Sequence, residues 1–278
     1  MIKNYLSLIK FSHTIFAMPF AFIGFSLGLA RTNFSINHLQ SFNQLGGSIT
    51  FTTGQLIIKF ILVVACMVFA RSAAMAFNRW ADAYWDARNP RTAVREIPKG
   101  IISAQNAMIF VIINCLLFIA ATWFINFTCF ILSPVALMVI LGYSYTKRFT
   151  FFCHIILGIG LALAPIGAYL ALIDVFNLLP LLFSFSVLFW VSGFDIIYSL
   201  QDEAFDKENN LHSIPVIAGK KKALKISEFF HVLSAISIIV AGFYANFGML
   251  YWVGVTFFCG MLIYQHSIIS ADNLKKVN

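Results

Sequence analysis

Long apolar runs separated by short polar stretches make up most of this chain. Eight of the runs are about 20 residues long, which is the length that an α-helix needs to cross the hydrocarbon core of a bilayer. They lie near residues 13–30, 57–77, 103–124, 127–144, 150–173, 178–198, 226–244 and 247–268. The pattern therefore predicts an all-α fold, a polytopic membrane bundle of eight transmembrane helices.

The segments between and before the runs differ in character. The breaks at Asn126 and at residues 177–180 are tight, as is typical of antiparallel neighbours in a bundle. Residues 31–56 are rich in Asn, Ser, Thr, Gln and Gly, and we expect them to form a surface loop. The first run could be read as a signal peptide, but no A-x-A-like site follows it, and His13 and Pro19 interrupt it. We therefore expect a retained helix there.

Composition independently indicates a membrane protein. Of the 278 residues, 60% are hydrophobic and 11% are charged, whereas a soluble globular domain carries about 25% charged residues. The cysteines have no CxxC spacing and all lie in apolar stretches, so we interpret them as small buried hydrophobic residues. These cysteines are Cys66, Cys115, Cys129, Cys153 and Cys259.

The lysines and arginines predict the orientation of the chain. A net charge of +8 would suit a nucleic-acid partner, but the basic residues outside the runs fall almost entirely on one side of the predicted bundle. That side carries Lys3, Lys10, Arg79, Arg88, Arg91, Arg95, Lys99, Lys147, Arg148, Lys207, Lys220, Lys221, Lys222, Lys225, Lys275 and Lys276, and the other carries Arg31 and Lys59. By the positive-inside rule, we expect an inner-membrane protein with both termini and the active site facing the cytoplasm. We expect no nucleic-acid partner.

Two acidic motifs lie at the ends of long apolar runs. The first contains Asn78, Asp82 and Asp86, and the second contains Asp202 and Asp206, with Asp195 seven residues earlier. Residues four apart lie on one face of an α-helix, so each motif is predicted to present a column of oxygen ligands. Carboxylates at a membrane boundary are costly and usually mark a substrate or ion path. Hard oxygen ligands suit Mg²⁺, which binds through one or two carboxylates plus substrate phosphates.

Basic residues surround the first motif. Arg71 precedes Asn78 by two helical turns on the same face, and Pro90 ends the helix. Arg88, Arg91, Arg95 and Lys99 follow within reach of the acids. Because Mg²⁺ links phosphate oxygens to carboxylates while arginine binds the remaining oxygens in a fork, this arrangement indicates a diphosphate site. The alternative is a solvated network of interfacial ion pairs.

Asp195 is predicted to lie deeper in the membrane than the other two aspartates of the second motif. It lies about 10 Å deeper than Asp202 on the same predicted helix face, since each helical residue adds about 1.5 Å. We expect Asp195, with Tyr198, to reach a substrate that is not phosphorylated. The alternative is a buried carboxylate paired with a neighbouring basic or hydroxyl group. We interpret His212, after the motif, as a capping or packing residue.

Taken together, these motifs resemble those of the UbiA-type intramembrane aromatic prenyltransferases, in the branch related to 4-hydroxybenzoate polyprenyltransferase. Four blocks carry the resemblance: IKFSHTIFAMPF (residues 9–20), NxxxDxxxD with NPRT and IPKG, YSYTKR (residues 143–148), and DIIYSLQDEAFD with LHSIP. The blocks span nearly the whole chain and are highly specific in combination.

The resemblance implies a central cavity, open to the lipid bilayer, that binds a polyprenyl diphosphate and a small aromatic acceptor. It implies Mg²⁺ held by Asn78, Asp82, Asp86, Asp202 and Asp206, with substrate contacts from Arg71, Arg88, Arg91, Tyr143, Lys147 and Arg148. Asp195 and Tyr198 would then be the catalytic residues. The expected enzyme is an alkyl or aryl transferase that joins a polyprenyl group, through an allylic carbocation, to a 4-hydroxybenzoate-like acid in quinone biosynthesis.

Two alternatives stay open. In one, the acceptor is a naphthoate-type precursor of menaquinone, and ubiquinone is not the product. In the other, the protein is a membrane transporter with an acidic cytoplasmic site, since intramembrane acids and internal symmetry also occur in transporters. The acids here lie at helix ends beside arginines, which favours a phosphate-headed substrate.

Each half of the sequence carries one acidic motif. We predict a single UbiA-like prenyltransferase domain over residues 1–278, made of pseudo-repeat halves 1–148 and 149–278. Repeats of this kind place a binding site between the halves.

Members of the family commonly have nine helices, whereas eight are predicted here. The chain also departs from the family pattern at Arg79, Glu96 and Asn210, none of which is a predicted metal ligand.

Overall fold

The computed structural model describes residues 2–35, 38–42 and 48–270. Its helices are α1 (Ile2–Leu8), α2 (Phe11–Ala30), α3 (Thr53–Ala81), α4 (Ala83–Asp86), α5 (Ala104–Ile125), α6 (Phe127–Thr146), α7 (Cys153–Ile173), α8 (Leu178–Ser199), α9 (Glu203–Glu208), α10 (Ile214–Tyr244) and α11 (Met249–Ile268). Each of the eight predicted apolar runs falls on one long helix, namely α2, α3, α5, α6, α7, α8, α10 or α11.

Within the described residues, six helical segments are long and apolar enough to cross a membrane, by length and composition. They are Thr53–Ala81, Ala104–Ile125, Phe127–Thr146, Cys153–Ile173, Leu178–Glu208 and Ile214–Tyr244. The predicted all-α, polytopic membrane class is confirmed, whereas eight crossings and a central cavity stay predictions. The predicted cytoplasmic C-terminus, with Lys275 and Lys276, lies outside the described residues.

The segment predicted as a surface loop, residues 31–56, contains a small sheet. β1 (Thr32–Ser35), β2 (His38–Phe42) and β3 (Ser48–Phe51) pair antiparallel in the order β1-β2-β3. The loop prediction is therefore wrong for these strands, and the residues between them lie outside the described part. Overall polarity suggested a loop, but residues 48–51 alternate polar and apolar with the two-residue period of a strand.

The chain divides into two compact units. Unit 1 comprises residues 1–144 and 163–176, and unit 2 comprises residues 145–162 and 177–278. These boundaries differ from the predicted halves, because the second part of α7 belongs to unit 1 although it follows residue 148. The single prenyltransferase domain stays a prediction.

The main core of unit 1 joins α2, α3, α5 and the second part of α7. Its buried residues are Ala21, Phe25, Val63, Ile125, Ala168, Tyr169, Ala171, Leu172 and Ile173. α2 and α7 approach so closely that a Cβ atom on Gly24 would lie 1.9 Å from the carbonyl oxygen of Pro165. Position 24 therefore requires glycine, since any side chain would push the two helices apart.

A lysine inside the apolar α3 is held by the ends of two other helices. Lys59 Nζ donates to the carbonyl oxygens of Ile125 and Ala171, each at 2.8 Å. These carbonyls lie in the last turns of α5 and α7, where acceptors lack partners within the helix and carry partial negative charge. Asn126 reinforces the same junction, because its Nδ2 donates to the carbonyl oxygen of Leu170 at 2.7 Å. Lys59 thus joins two helix ends.

We expect Lys59→Met to lower the thermal stability of the protein. Methionine keeps an apolar side chain of similar length, but it leaves two carbonyls without their donor, at about 1–3 kcal/mol for each group that is buried and unsatisfied. Thermal unfolding in detergent measures the loss. Lys222→Met, at an exposed position of α10, is the control, and equal melting temperatures for the two variants would contradict this role of Lys59.

In unit 2, α8 packs against α10 through small polar residues. Ser234 Oγ donates to the carbonyl oxygen of Ser186 at 2.8 Å, and the two hydroxyl oxygens lie 2.9 Å apart. Ser227 Oγ donates to the carbonyl oxygen of Gly193 at 2.7 Å. Small residues at such interfaces let the backbones of membrane helices approach closely. α10 therefore supports the helix whose end carries the second acidic motif.

Candidate active site

The first acidic motif lies at a local helix break. α3 ends at Ala81, and Asp82 has φ −93° and ψ 5° before α4 begins at Ala83. The predicted column of oxygen ligands is therefore interrupted at Asp82. The break is mild, since the N–H groups of Asp82 and Asp86 still donate to carbonyl oxygens four residues earlier, at 2.9 and 2.8 Å. Asn78 stays beside Asp82, and its Nδ2 donates to Asp82 Oδ2 at 3.0 Å.

Asp86 is buried and ion-paired. Nη1 of Arg95 lies 2.7 Å from both carboxylate oxygens of Asp86. Thr92 Oγ1 donates to the backbone carbonyl oxygen of Asp86 at 3.2 Å, and Asn89 Oδ1 accepts from the backbone N–H of Arg91 at 3.0 Å. The loop after α4 is therefore folded around this carboxylate. Arg95, noted in the sequence only as one of several nearby cations, is its counter-ion.

The predicted phosphate contacts of unit 1 occupy different environments. Arg88 is exposed, and its guanidinium lies 3.4 Å from the centre of the Tyr84 ring, as in a cation–π contact. Arg71 lies within α3, where Tyr143 is near enough to interact with it electrostatically. Arg91 lies in the loop after α4. These residues stay candidates for diphosphate binding.

The second motif repeats the helix break of the first. α8 ends at Ser199, a 3₁₀ turn spans Leu200–Asp202, and α9 begins at Glu203. Asp202 has φ −100° and ψ 1°, nearly the values found at Asp82. Both motifs therefore place their first aspartate at a matching interruption of the helix. The repeat of halves 1–148 and 149–278 stays a prediction.

Asp206 is also buried and ion-paired, as Asp86 is. Its side chain is 1% exposed, and Oδ2 lies 2.7 Å from Nζ of Lys147. Burial lowers the pKa of Lys147, but the charges of Asp206 and Asp202 outweigh burial, so this pKa lies above its ordinary value. The backbone N–H of His212 donates to the carbonyl oxygen of Lys147 at 2.7 Å. Arg148 lies 4.6 Å from the Tyr145 ring centre.

Asp195 has a partner that the sequence analysis did not identify. Its Oδ2 lies 2.7 Å from Nδ1 of His154, the second residue of α7. Nε2 of His154 accepts from the backbone N–H of Ile214 at 3.3 Å. Tyr198 stacks on Phe194 with ring centres 6.5 Å apart. A lone histidine at the start of an apolar run was the only sequence signal for this contact.

The comparison with known families agrees with the architecture and the motifs. The profile of the UbiA prenyltransferase family matches residues 45–278. The chain belongs to the UbiA prenyltransferase family. The resemblance inferred from the four sequence blocks is therefore confirmed at the level of the family.

Individual members of the UbiA family show how far the similarity extends. A 4-hydroxybenzoate octaprenyltransferase of Francisella tularensis is 29% identical over 192 residues, which cover 68% of this chain and 66% of the relative. The apo structure of a UbiA homolog from Aeropyrum pernix K1 superposes with a TM-score of 0.81 at 29% identity and covers 96% of this chain and 91% of its own. A UbiA homolog from Archaeoglobus fulgidus, bound to DMAPP and Mg²⁺, has a TM-score of 0.71 at 19% identity, with 96% and 86% covered. This last similarity shows the fold.

The acids of each motif suit Mg²⁺ bound together with a substrate. Among the described residues, no group of three or more His, Cys, Asp and Glu side chains lies close enough to form a metal cage. Asn78 and Asp82 form one pair of oxygen-bearing side chains, and Asp202 and Asp206 interact electrostatically in the other unit. Mg²⁺ usually takes one or two carboxylates and completes its coordination with water and phosphate. The donors present in this UbiA-family chain fit that mode.

Proposed function

We propose that this protein transfers a polyprenyl group from polyprenyl diphosphate to a 4-hydroxybenzoate-like aromatic acid in quinone biosynthesis, with Mg²⁺ as cofactor. The observation that carries the proposal is the matched placement of Asp82 and Asp202 at helix breaks, each followed four residues later by an ion-paired acid. The name of the Francisella relative and the ligands of the Archaeoglobus structure support the same chemistry.

In the proposed reaction, each motif contributes ligands for Mg²⁺ and the diphosphate. The metal ligands are the predicted oxygen donors Asn78, Asp82, Asp86, Asp202 and Asp206, and the substrate contacts are Arg71, Arg88, Arg91, Tyr143, Lys147 and Arg148. Bound Mg²⁺ supplies Lewis-acid stabilisation of the leaving diphosphate. Arg95 and Lys147 place a positive charge 2.7 Å from Asp86 and Asp206, respectively, beside the proposed metal ligands.

The aromatic acceptor meets the allylic carbon in the same reaction. The C–O bond of the prenyl diphosphate breaks with its electron pair on the diphosphate, the aromatic carbon forms the new C–C bond, and the ring proton leaves to a base. Asp195 is the proposed base, and Tyr198 orients the acceptor. The proposed reaction requires that water be excluded from the allylic carbon, since water would otherwise quench the carbocation.

The proposed site faces the cytoplasm of a cell with an inner membrane. Both acidic motifs are followed by segments rich in lysine or arginine, including Arg88, Arg91 and Arg95 after the first and Lys220–Lys222 after the second. Positively charged segments near helix ends are retained on the cytoplasmic side. A water-soluble aromatic acid and diphosphate would enter and leave the site from that side.

Mass spectrometry of lipid products is the test of this function. Purified protein in detergent or vesicles is supplied with Mg²⁺, prenyl diphosphates of several lengths, and 4-hydroxybenzoate or a naphthoate-type acid. We expect a prenylated 4-hydroxybenzoate, together with one diphosphate released for each product formed. Reactions without an acceptor control for hydrolysis.

The other outcomes of this experiment would indicate other functions. Prenylation of the naphthoate alone would assign the protein to menaquinone synthesis. No diphosphate release with any acceptor, from protein that is folded by thermal unfolding, would reject the transferase and favour a transporter.

A further inference from the structure

The contact between His154 and Asp195 connects three helices of unit 2. His154 belongs to the first turn of α7, Asp195 lies in α8, and the backbone N–H that reaches His154 belongs to Ile214, the first residue of α10. The His154 side chain is 2% exposed, whereas that of Asp195 is 29% exposed. The imidazole therefore approaches the carboxylate from its buried side.

The backbone contact determines which nitrogen of His154 carries the proton. An N–H at the start of a helix has no acceptor within that helix. The N–H of Ile214 donates to Nε2 of His154 at 3.3 Å, so Nε2 must offer its lone pair. A neutral imidazole with an unprotonated Nε2 carries its hydrogen on Nδ1. Nδ1–H then donates to Oδ2 of Asp195 at 2.7 Å.

We propose that His154 is a positioning residue for prenyl transfer, which fixes the Asp195 carboxylate and directs its second oxygen to the aromatic acceptor. The inference rests on the proposed function. Oδ2 is engaged by His154, whereas Oδ1 has no hydrogen-bond partner among the described residues. In this arrangement His154 contacts neither substrate. Its effect on the reaction passes through Asp195.

The arrangement has a specific kinetic consequence. A donor at Nδ1 limits rotation of the carboxylate and stabilises its negative charge, so Oδ1 stays ready to accept the departing proton. Without this donor the carboxylate loses its fixed direction, and a misplacement of about 1 Å can cost about 100-fold in rate. We expect the loss at the acceptor step, because Asp202, the next predicted metal ligand along the chain, lies seven residues from Asp195, a rise of about 10 Å at 1.5 Å per helical residue.

Three variants of His154 test this inference. The amide nitrogen of Asn can occupy the position of Nδ1, whereas that of Gln corresponds to Nε2, and Leu offers no donor. We expect His154→Asn to keep kcat/KM for the aromatic acid within about 3-fold of the parent, and His154→Gln and His154→Leu to lower it about 10–100-fold. The KM for prenyl diphosphate and its Kd in the presence of Mg²⁺ stay unchanged in all three.

Rescue by Asn separates positioning from general structural support. If His154→Asn loses as much acceptor kcat/KM as His154→Leu, or if binding of prenyl diphosphate falls in parallel, the inference is wrong. Thermal unfolding in detergent checks that each variant is folded. Should His154→Leu fail to fold, the comparison of the Asn and Gln variants still decides, since both are amides.

A measurement without turnover distinguishes failure of this inference from failure of the proposed function. An inactive parent protein would reject the function. The nitrogen-15 chemical shifts of the His154 ring report its tautomer whether or not the protein is active. We expect a protonated Nδ1 in the parent and a change in that shift in Asp195→Leu. A proton on Nε2 would overturn the positioning role.

Discussion

Removal of divalent cations is expected to reduce prenyl transfer to the level of a reaction without protein. Arg95 and Lys147 each provide a cation for the second aspartate of a motif, Asp86 and Asp206 respectively. A carboxylate and the substrate diphosphate repel one another unless a cation lies between them. Oxygen donors in pairs leave room for a metal to bind phosphate as well. Excess EDTA should therefore abolish product formation, and added Mg²⁺ should restore it.

Replacement of Mg²⁺ by Ca²⁺ is the control for this experiment. Ca²⁺ added after EDTA restores charge balance but prefers more ligands at longer distances than Mg²⁺, so we expect weaker recovery with Ca²⁺ than with Mg²⁺. Thermal unfolding with and without EDTA shows whether the protein itself depends on the metal. Unchanged turnover in excess EDTA would remove the cation from the proposed reaction.

Asp82→Asn and Asp202→Asn are each expected to lower prenyl transfer at least about 100-fold, the scale for losing one electrostatic group that acts on the transition state. Asparagine keeps the shape of the side chain, which matters because Asp202 is buried. The variant loses the negative charge that binds the metal. We expect unchanged thermal unfolding and a loss of diphosphate binding in the presence of Mg²⁺.

Glu203→Gln is the matched control for Asp202→Asn. Glu203 follows Asp202 directly and lies 3.7 Å from Lys220, so it belongs to an ion pair outside the predicted ligand set. We expect this variant to retain transfer within about 3-fold of the parent, since partly exposed ion pairs contribute little. Near-normal transfer by either asparagine variant, or equal loss in Glu203→Gln, would argue against the two-motif site.

Much of the fold follows from the hydrophobic pattern alone. Apolar runs of bilayer length identified the eight long helices of the described residues, because a helix that crosses a membrane must be apolar over most of its surface. The small sheet between α2 and α3 was missed, since short strands in a polar segment give a weak signal. The breaks at Asp82 and Asp202 were missed for another reason, because four-residue spacing looks the same in a continuous helix and in one with a single distorted residue.

The candidate site was predicted less completely than the fold. The sequence singled out Asp206 and Lys147 separately, as metal ligand and phosphate contact, but their pairing joins residues 59 positions apart. The contact between His154 and Asp195 spans 41 positions. Spacing rules apply within one helix, so contacts between helices carry no local signature. The sequence thus shows which chemical groups are present, whereas the packing of the helices determines which of them are in contact.

The division of α7 between the two units has a consequence for recombination between related proteins. Five of the nine residues in the main core of unit 1 come from α7, which begins after residue 148. A chimaera joined at residue 148 would combine the N-terminal core of one parent with the α7 of another, including the close approach of Gly24 to Pro165. A junction after residue 176 would keep that core from a single parent. The same junction would separate Lys147 and His154 from Asp206 and Asp195, their partners in unit 2. Exchange at either position therefore requires that the two parents match at the contacts that the junction divides.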